Sequence, residues 1–135
     1  MNWTLEVIIV PVSDVEQAKN FYEKQLGFNV DHDTKVHESM RVIQLTPPGS
    51  GCSIVIGVGI SEMVPGSLKG LQLVVNDIHK ARAQLVANDV KVSEITRMGE
   101  NHPEFSGDDL DNIGFIFFDD PDGNSWAVQQ ISSRA

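Results

Sequence analysis

Cysteine is nearly absent from this chain of 135 residues: Cys52 stands alone. One thiol excludes an intramolecular disulfide framework and any multi-thiolate cluster, and Cys52, beside Ser53-Ile54-Val55-Ile56, reads as a small core residue rather than a nucleophile. Long apolar runs are missing too. The longest, Val7 to Val12, carries Pro11 and falls far short of the roughly 18 to 20 residues that span a bilayer. The opening Met1-Asn2-Trp3-Thr4 has no basic segment followed by an apolar one, which predicts no secretory signal, no membrane attachment and a cytoplasmic location. Positive charge is scarce, with 10 Lys and Arg against 19 Asp and Glu. The resulting net charge of −9 argues against nucleic acid as a partner and mildly favours cationic ligands.

What is present is enough apolar material, 41%, to bury a core, and the length predicts one domain over residues 1–135. Leu5 to Val12 reads as a strand, apolar enough to be covered on both faces. Ser13-Asp14-Val15-Glu16 has the pattern of a capping box, so a helix is expected from there to about Leu26, with Gly27 as a left-handed C-cap. Phe28 to Asp31 predicts a short strand, His32 to Glu38 a polar loop, and Met40 to Leu45 and Cys52 to Gly57 two more strands, separated by the turn Pro47-Pro48-Gly49-Ser50-Gly51. Residues 58–68 lack a period and read as a linker.

The pattern then starts again. Leu71 to Val75 is a strand, Asn76-Asp77 offers a cap, and Ile78, Ala81, Leu85 and Val86 mark an amphipathic helix ending near Asn88-Asp89. Val90 to Ile95 predicts a short strand, and Arg97 to Asn112 a long polar segment. Phe117-Phe118 and Trp126-Ala127-Val128 flank Asp120-Pro121-Asp122-Gly123-Asn124, a five-residue connection whose Pro, Gly and Asn suit a tight antiparallel hairpin. Val12-Ser13-Asp14-Val15 lies over Val75-Asn76-Asp77-Ile78 at an offset of 63 residues. The expected fold is therefore α+β, two βαβββ modules (about 4–57 and 69–131) forming a cupped, mainly antiparallel eight-stranded sheet with the helices outside. The inner face of such a cup favours a small-molecule site.

Val10-Pro11-Val12-Ser13-Asp14-Val15-Glu16-Gln17-Ala18, Phe21-Tyr22 and Leu26-Gly27-Phe28 resemble the opening module of the vicinal oxygen chelate superfamily: glyoxalase I, the fosfomycin and bleomycin resistance proteins, and the extradiol dioxygenases. Asp120-Pro121-Asp122-Gly123-Asn124 resembles its closing hairpin. The resemblance implies a divalent ion held by His, Glu or Gln from matching strands of both modules. It also implies symmetric pairing of two chains. The ligand positions fall on Val7, on Ile54 or Val55, on Gly70 and on Ala127, none of which supplies a donor atom. The expectation is therefore no metal and no other cofactor.

The remaining candidates are neutral amides and aromatics. Gln44 and Gln72 interrupt apolar strands, and Gly70, Gln72 and Val74 are expected to face the cup, with Gln129 beside Ala127. A neutral amide there orients a ligand without the cost of burying a charge. Trp126 faces the other way and is expected to fill core under a helix, while Phe105, in the polar segment, is a candidate for a lid. His79 is expected on the exposed side of its helix. The reading is a small-molecule binding protein of the glyoxalase and bleomycin-resistance type, acting by sequestration or resistance or by catalysis without the superfamily's ion, with Gln44, Gln72, Phe105, His102, Gln129, Val7 and Ala127 around a small organic ligand. The alternative is a metal-dependent isomerase, lyase or dioxygenase with displaced ligands drawn from His37, Glu38, His102 and Glu104, in which the ion acts as a Lewis acid.

Overall fold

The computed structural model describes residues 1–99 and 109–134. Among the described residues, eight strands and two helices divide between two compact units, Met1–Leu68 with Asp120–Asn124, and Lys69–Asp119 with the residues after Asn124. Among the described residues, no helix is long and apolar enough to cross a membrane.

In the first unit β1 (Val7–Ile9), α1 (Val15–Asn20), β2 (Asn29–His37), β3 (Met40–Thr46) and β4 (Ser53–Val58) follow in chain order. The sheet order is β1-β4-β3-β2, with β1 parallel to β4 and the other pairs antiparallel. Strand β1 is shorter than Leu5 to Val12, because Leu5 is exposed and Pro11 has no N–H for a ladder. Asp14, not Ser13, caps α1, accepting from Gln17 N at 3.1 Å; the Ser13 hydroxyl bonds Asp122 at 2.6 Å instead. The helix ends sooner than its apolar spacing implies. Phe21–Gln25 widens into a π-turn closed by Leu26 N to Phe21 O, which lets the adjacent Phe21 and Tyr22 both be buried, edge to face with centroids 5.2 Å apart. Gly27 then turns the chain at φ 78°, as a left-handed C-cap should.

The largest departure is β2. His32 to Glu38 looks like a loop in sequence, yet His32 and His37 belong to a nine-residue edge strand. No apolar alternation marks it because it is exposed along nearly its whole length. Its charges serve the helix side: Asp33 receives Arg41 Nε at 2.8 Å and Lys19 Nζ at 2.9 Å, and Arg41 also reaches Glu16 of α1. Hydrogen bonding from Arg41 first, then from Lys19, holds the Asp33 carboxyl well below the usual carboxylate range.

The second unit repeats the scheme with β5 (Leu71–Val75), α2 (Ile78–Ala87), β6 (Thr96–Arg97), β7 (Gly114–Asp119) and β8 (Ser125–Gln130), in sheet order β5-β8-β7-β6. Here too the first strand is parallel to the last and the rest are antiparallel. Asp77 caps α2 by accepting from Lys80 N at 3.1 Å, the same bond that Asp14 makes 63 positions earlier. His79 is exposed on α2 as expected. Val90 to Ile95 is not a strand. The Ser93 hydroxyl, rather than a carbonyl, takes the Phe117 N–H at 2.9 Å, which breaks the ladder there and leaves the two-residue β6 as the outer partner of β7.

Candidate functional site

Register fixes which side chains share a face, since partners across a ladder point the same way and neighbours along a strand alternate. In the first sheet Ile43, Leu45, Ile54 and Ile56 are buried on one face, the face that carries Asp33 and Arg41 to α1. The opposite, helix-free face holds Val7, Ile9, Val42, Gln44, Thr46, Ser53 and Val55, with His32 directly across from Gln44. Four polar groups on this side form one chain. Gln44 Nε2 donates to Ser53 Oγ at 3.3 Å, Ser53 Oγ lies 2.6 Å from Thr46 Oγ1, and Thr46 Oγ1 donates to Asp31, the residue bulged out of the β2 register.

In the second sheet Trp126 and Val128 on β8 and Ile116 and Phe118 on β7 are buried on one face; Gln130, on the same side, accepts from Ile78 N at the start of α2. Trp126 is 3% exposed and stacks on Phe118, with centroids 6.0 Å apart. It is core, as the alternation implies. The helix-free face carries Gln72, Val74, Phe115, Phe117, Ala127 and Gln129. Gln72 Nε2 donates to Gln129 Oε1 at 2.8 Å, and Gln129 Nε2 donates to the Asn112 carbonyl at 2.9 Å. Beside the amides, the rings of Phe115 and Phe117 lie nearly parallel at 8°, centroids 6.1 Å apart, and Phe117 is 45% exposed. A half-exposed phenyl ring next to paired amides offers a flat apolar surface with a hydrogen-bonding rim.

The connection Asp120–Asn124 is not available for ligands. Asp120 is 4% exposed and its carboxylate is saturated: Oδ2 accepts from Tyr22 Oη and Asn124 Nδ2, both at 2.7 Å, and Oδ1 from the backbone N–H of Asp122 and Asn124. Asn124, fully buried, also donates to the Pro11 carbonyl at 2.8 Å and accepts from Leu68 N. Four acceptances of this kind satisfy a buried carboxylate without a counter-ion.

Beside these two units of like strand order, the chain matches the family model described as Glyoxalase/Bleomycin resistance protein/Dioxygenase superfamily over residues 4–128. The chain belongs to that superfamily. A comparison with curated proteins gives no match. Among solved structures, the Glyoxalase-superfamily chain is 32% identical to TnmS3, an antibiotic binding protein from Streptomyces sp. CB03234, with TM-score 0.75 over 97% of this chain and 98% of that one. A glyoxalase/bleomycin resistance protein from the same organism is also 32% identical, with TM-score 0.71 over 94% and 100%. A superfamily member from Sphaerobacter thermophilus DSM 20745 is 26% identical, with TM-score 0.76 over 96% and 98%.

The positions to which the resemblance assigns the superfamily's metal ligands lie as follows. Val7 and Ala127 lie on the helix-free faces of their sheets, and register resolves the ambiguity in β4 in favour of Val55, which pairs with Ile9 and Gln44. Gly70 precedes β5 at φ 90° and supplies no side chain. An apolar set of this kind does not fit a divalent cation. Among the described residues no group of three His, Cys, Asp or Glu side chains lies close enough to hold one. Of the displaced set, His37 accepts from Ser39 N and Glu38 pairs with Lys35, whereas His102 and Glu104, like Phe105, lie outside the described residues.

Gln44 therefore stands with Val7 on one face, and Gln72, Gln129 and Ala127 stand together on another, as alternation implies. Phe115 and Phe117 are the residues that the sequence reading missed. The signal is in the sequence: alternation through Gly114–Asp119 puts Phe117 on the Ala127 side, opposite Phe118, although the unbroken apolar run Phe115-Ile116-Phe117-Phe118 looks like a strand buried on both faces.

Proposed function

We propose that this superfamily member binds a small, flat organic molecule and holds it by sequestration, without the ion that its catalytic relatives use. The single observation that carries the reading is the helix-free face of the second unit, where Phe115 and Phe117 lie beside Gln72, Gln129 and Ala127, the last a position to which the resemblance assigns a metal ligand. Apolar burial and stacking on Phe117 would supply affinity, and the amides orientation. The 32% identity to an antibiotic binding protein supports a ligand of that kind.

Two measurements test this. Protein incubated with a ligand that it retains should release it chemically unchanged when denatured, as judged by mass spectrometry. Recovery of a converted product would make the protein an enzyme and defeat sequestration. Equilibrium dialysis with Zn²⁺, Ni²⁺, Mn²⁺ and Fe²⁺ should give no stoichiometric uptake by untagged protein; tight uptake lost on replacing residues of the helix-free faces would restore the metal-dependent alternative. Symmetric pairing of two chains is expected from the superfamily, and sedimentation velocity checks it.

A further inference from the structure

Asp31 and Asp33 stand two positions apart on β2, and in a regular strand their side chains would share a side. The bulge between Val30 and His32 parts them. Asp33 turns to the helix side, where Arg41 and Lys19 both reach it. Asp31 stays on the helix-free side with His32, Gln44, Thr46 and Ser53, and it is the one carboxylate that β1 to β4 place there. One aspartate thus has two cations, and the other, among the described residues, has none. Asp31 is held all the same. Thr46 Oγ1 donates to its Oδ2, and with that proton spent, Ser53 Oγ, 2.6 Å away, donates to Thr46. Ser53 is 6% exposed, so this relay is rooted in the sheet while the carboxylate at its end faces water. Asp31 Oδ1 has no hydrogen-bond partner among the described residues.

We infer that the helix-free face of the first unit binds an organic cation, with Asp31 receiving the N–H groups of its ammonium or amidinium. A carboxylate oriented before the ligand arrives saves the cost of ordering it on binding, and a planar cation can set two donors against its two oxygens. A divalent metal ion does not fit the same place. It needs several oxygen or nitrogen donors, and among the described residues no three acidic, His or Cys side chains gather. The rest of the face is mixed in polarity, since His32 is exposed and Gln44 keeps a carbonyl and a second N–H, so the anionic charge there is that of Asp31. The inference goes beyond the stacking face proposed above: it concerns the first unit alone and stands or falls independently of the second.

Benzamidine and benzamide test it, the same flat ring carrying a charged amidinium in one and a neutral amide in the other. Titrations followed by ¹H–¹⁵N NMR belong at about 0.3 M salt, where long-range attraction to the acidic chain is screened. Benzamidine should shift the backbone amides of Asp31, His32 and Thr46 saturably. It should bind about threefold or more tighter than benzamide, as an ion pair open to water but bonded at two points predicts. Asp31→Asn keeps an oxygen to accept from Thr46, and its exposed position leaves the fold in place, as circular dichroism checks. That variant should bind benzamidine no better than benzamide. Glu38→Gln removes an equal charge from the turn after β2 and should leave the preference intact. Equal binding of the two probes, or a preference that survives Asp31→Asn, overturns the inference. So does a preference lost equally in Glu38→Gln, which would trace the attraction to net charge. Saturable shifts confined to Phe115 and Phe117, or none at millimolar benzamidine, overturn it as well, and the first of these results would leave the stacking face standing.

Discussion

Replacing Tyr22 by Phe removes one hydroxyl from the fully buried ring that donates to Asp120 at 2.7 Å, and leaves every apolar contact of the ring in place. Hydrogen bonds to a charged group are worth about 1.5–3 kcal/mol net, and the Asp120 oxygen that loses Tyr22 keeps the amide of Asn124, so a cost near 2 kcal/mol is expected. For a chain of this length, about 3–4 °C of melting temperature accompanies each kcal/mol, giving a fall of about 7 °C. Asp120→Asn should cost more, about 3–4 kcal/mol, because an NH₂ then faces groups that already donate, from Tyr22 and Asn124 on one side or from two backbone N–H groups on the other. Urea unfolding of both single variants and the double variant closes a cycle, and the two costs should fall short of adding by about 1 kcal/mol or more, since the residues share a bond. A Tyr22→Phe variant that melts within 1 °C of the parent, or strict additivity, would refute the view that this hydroxyl anchors the connection.

The acidic limb of stability should respond to Asp33. Its folded-state carboxyl is held below the ordinary value, so its contribution is present above about pH 4 and is lost as pH falls toward the folded value. Thermal melts of Asp33→Asn should accordingly lie below the parent at pH 7 and converge with it under acid; a gap that widens on acidification would contradict the sign. Trp126→Ala should cost about 3–5 kcal/mol because the ring is buried against Phe118, whereas Phe117→Ala, at a half-exposed ring, should cost about 1 kcal/mol yet lower affinity about tenfold in titrations with a ligand that the parent protein retains. Circular dichroism melts beside the titrations separate the two effects. Gly57→Ala should cost on the order of 3 kcal/mol, since a Cβ there would stand 2.0 Å from the Arg41 carbonyl across the β3–β4 ladder. A soluble variant with parent-like urea midpoint would show that the strand gives way more cheaply than the ladder suggests.

Much of the fold was legible because local signals agreed with one another. Leu71–Val75 is bounded by Gly70 and Asp77, the repeat of 63 residues aligns two aspartate caps, and Asp-Pro-Asp-Gly-Asn leaves few alternatives to a turn. Strand β2 was illegible for the opposite reason. Its side chains are exposed, so the period that marks a half-buried strand is missing, and pairing with β3 together with the Lys19–Asp33–Arg41 bridges replaces burial as the cause. Ser13 and Asp14 both suit a cap, and what separates them is Asp122, more than a hundred positions away. At the candidate site alternation alone sorted Gln72, Gln129 and Ala127 to one face and Trp126 to the other. The directions of the amide chains could not be read that way, since they depend on where Asp31 bulges and where the Asn112 carbonyl points.

The connection between β7 and β8 has the composition of a place where protein engineers insert things: a Pro, a Gly and three short polar residues. Its packing argues the reverse. Gly66, at φ 81°, leaves so little room that a methyl group there would stand 2.0 Å from the Asp122 carbonyl, and the Pro11 carbonyl receives both Gly66 N and the Asn124 amide. An epitope tag or a new chain opening placed after Pro121 would pull out a plug, whereas the same cut after Pro48 would open an exposed tip closed by one Ser50–Pro47 backbone bond. Scaffolding work on this protein should therefore graft at the Pro-Pro-Gly tip and leave the more inviting Asp-Pro-Asp-Gly-Asn alone.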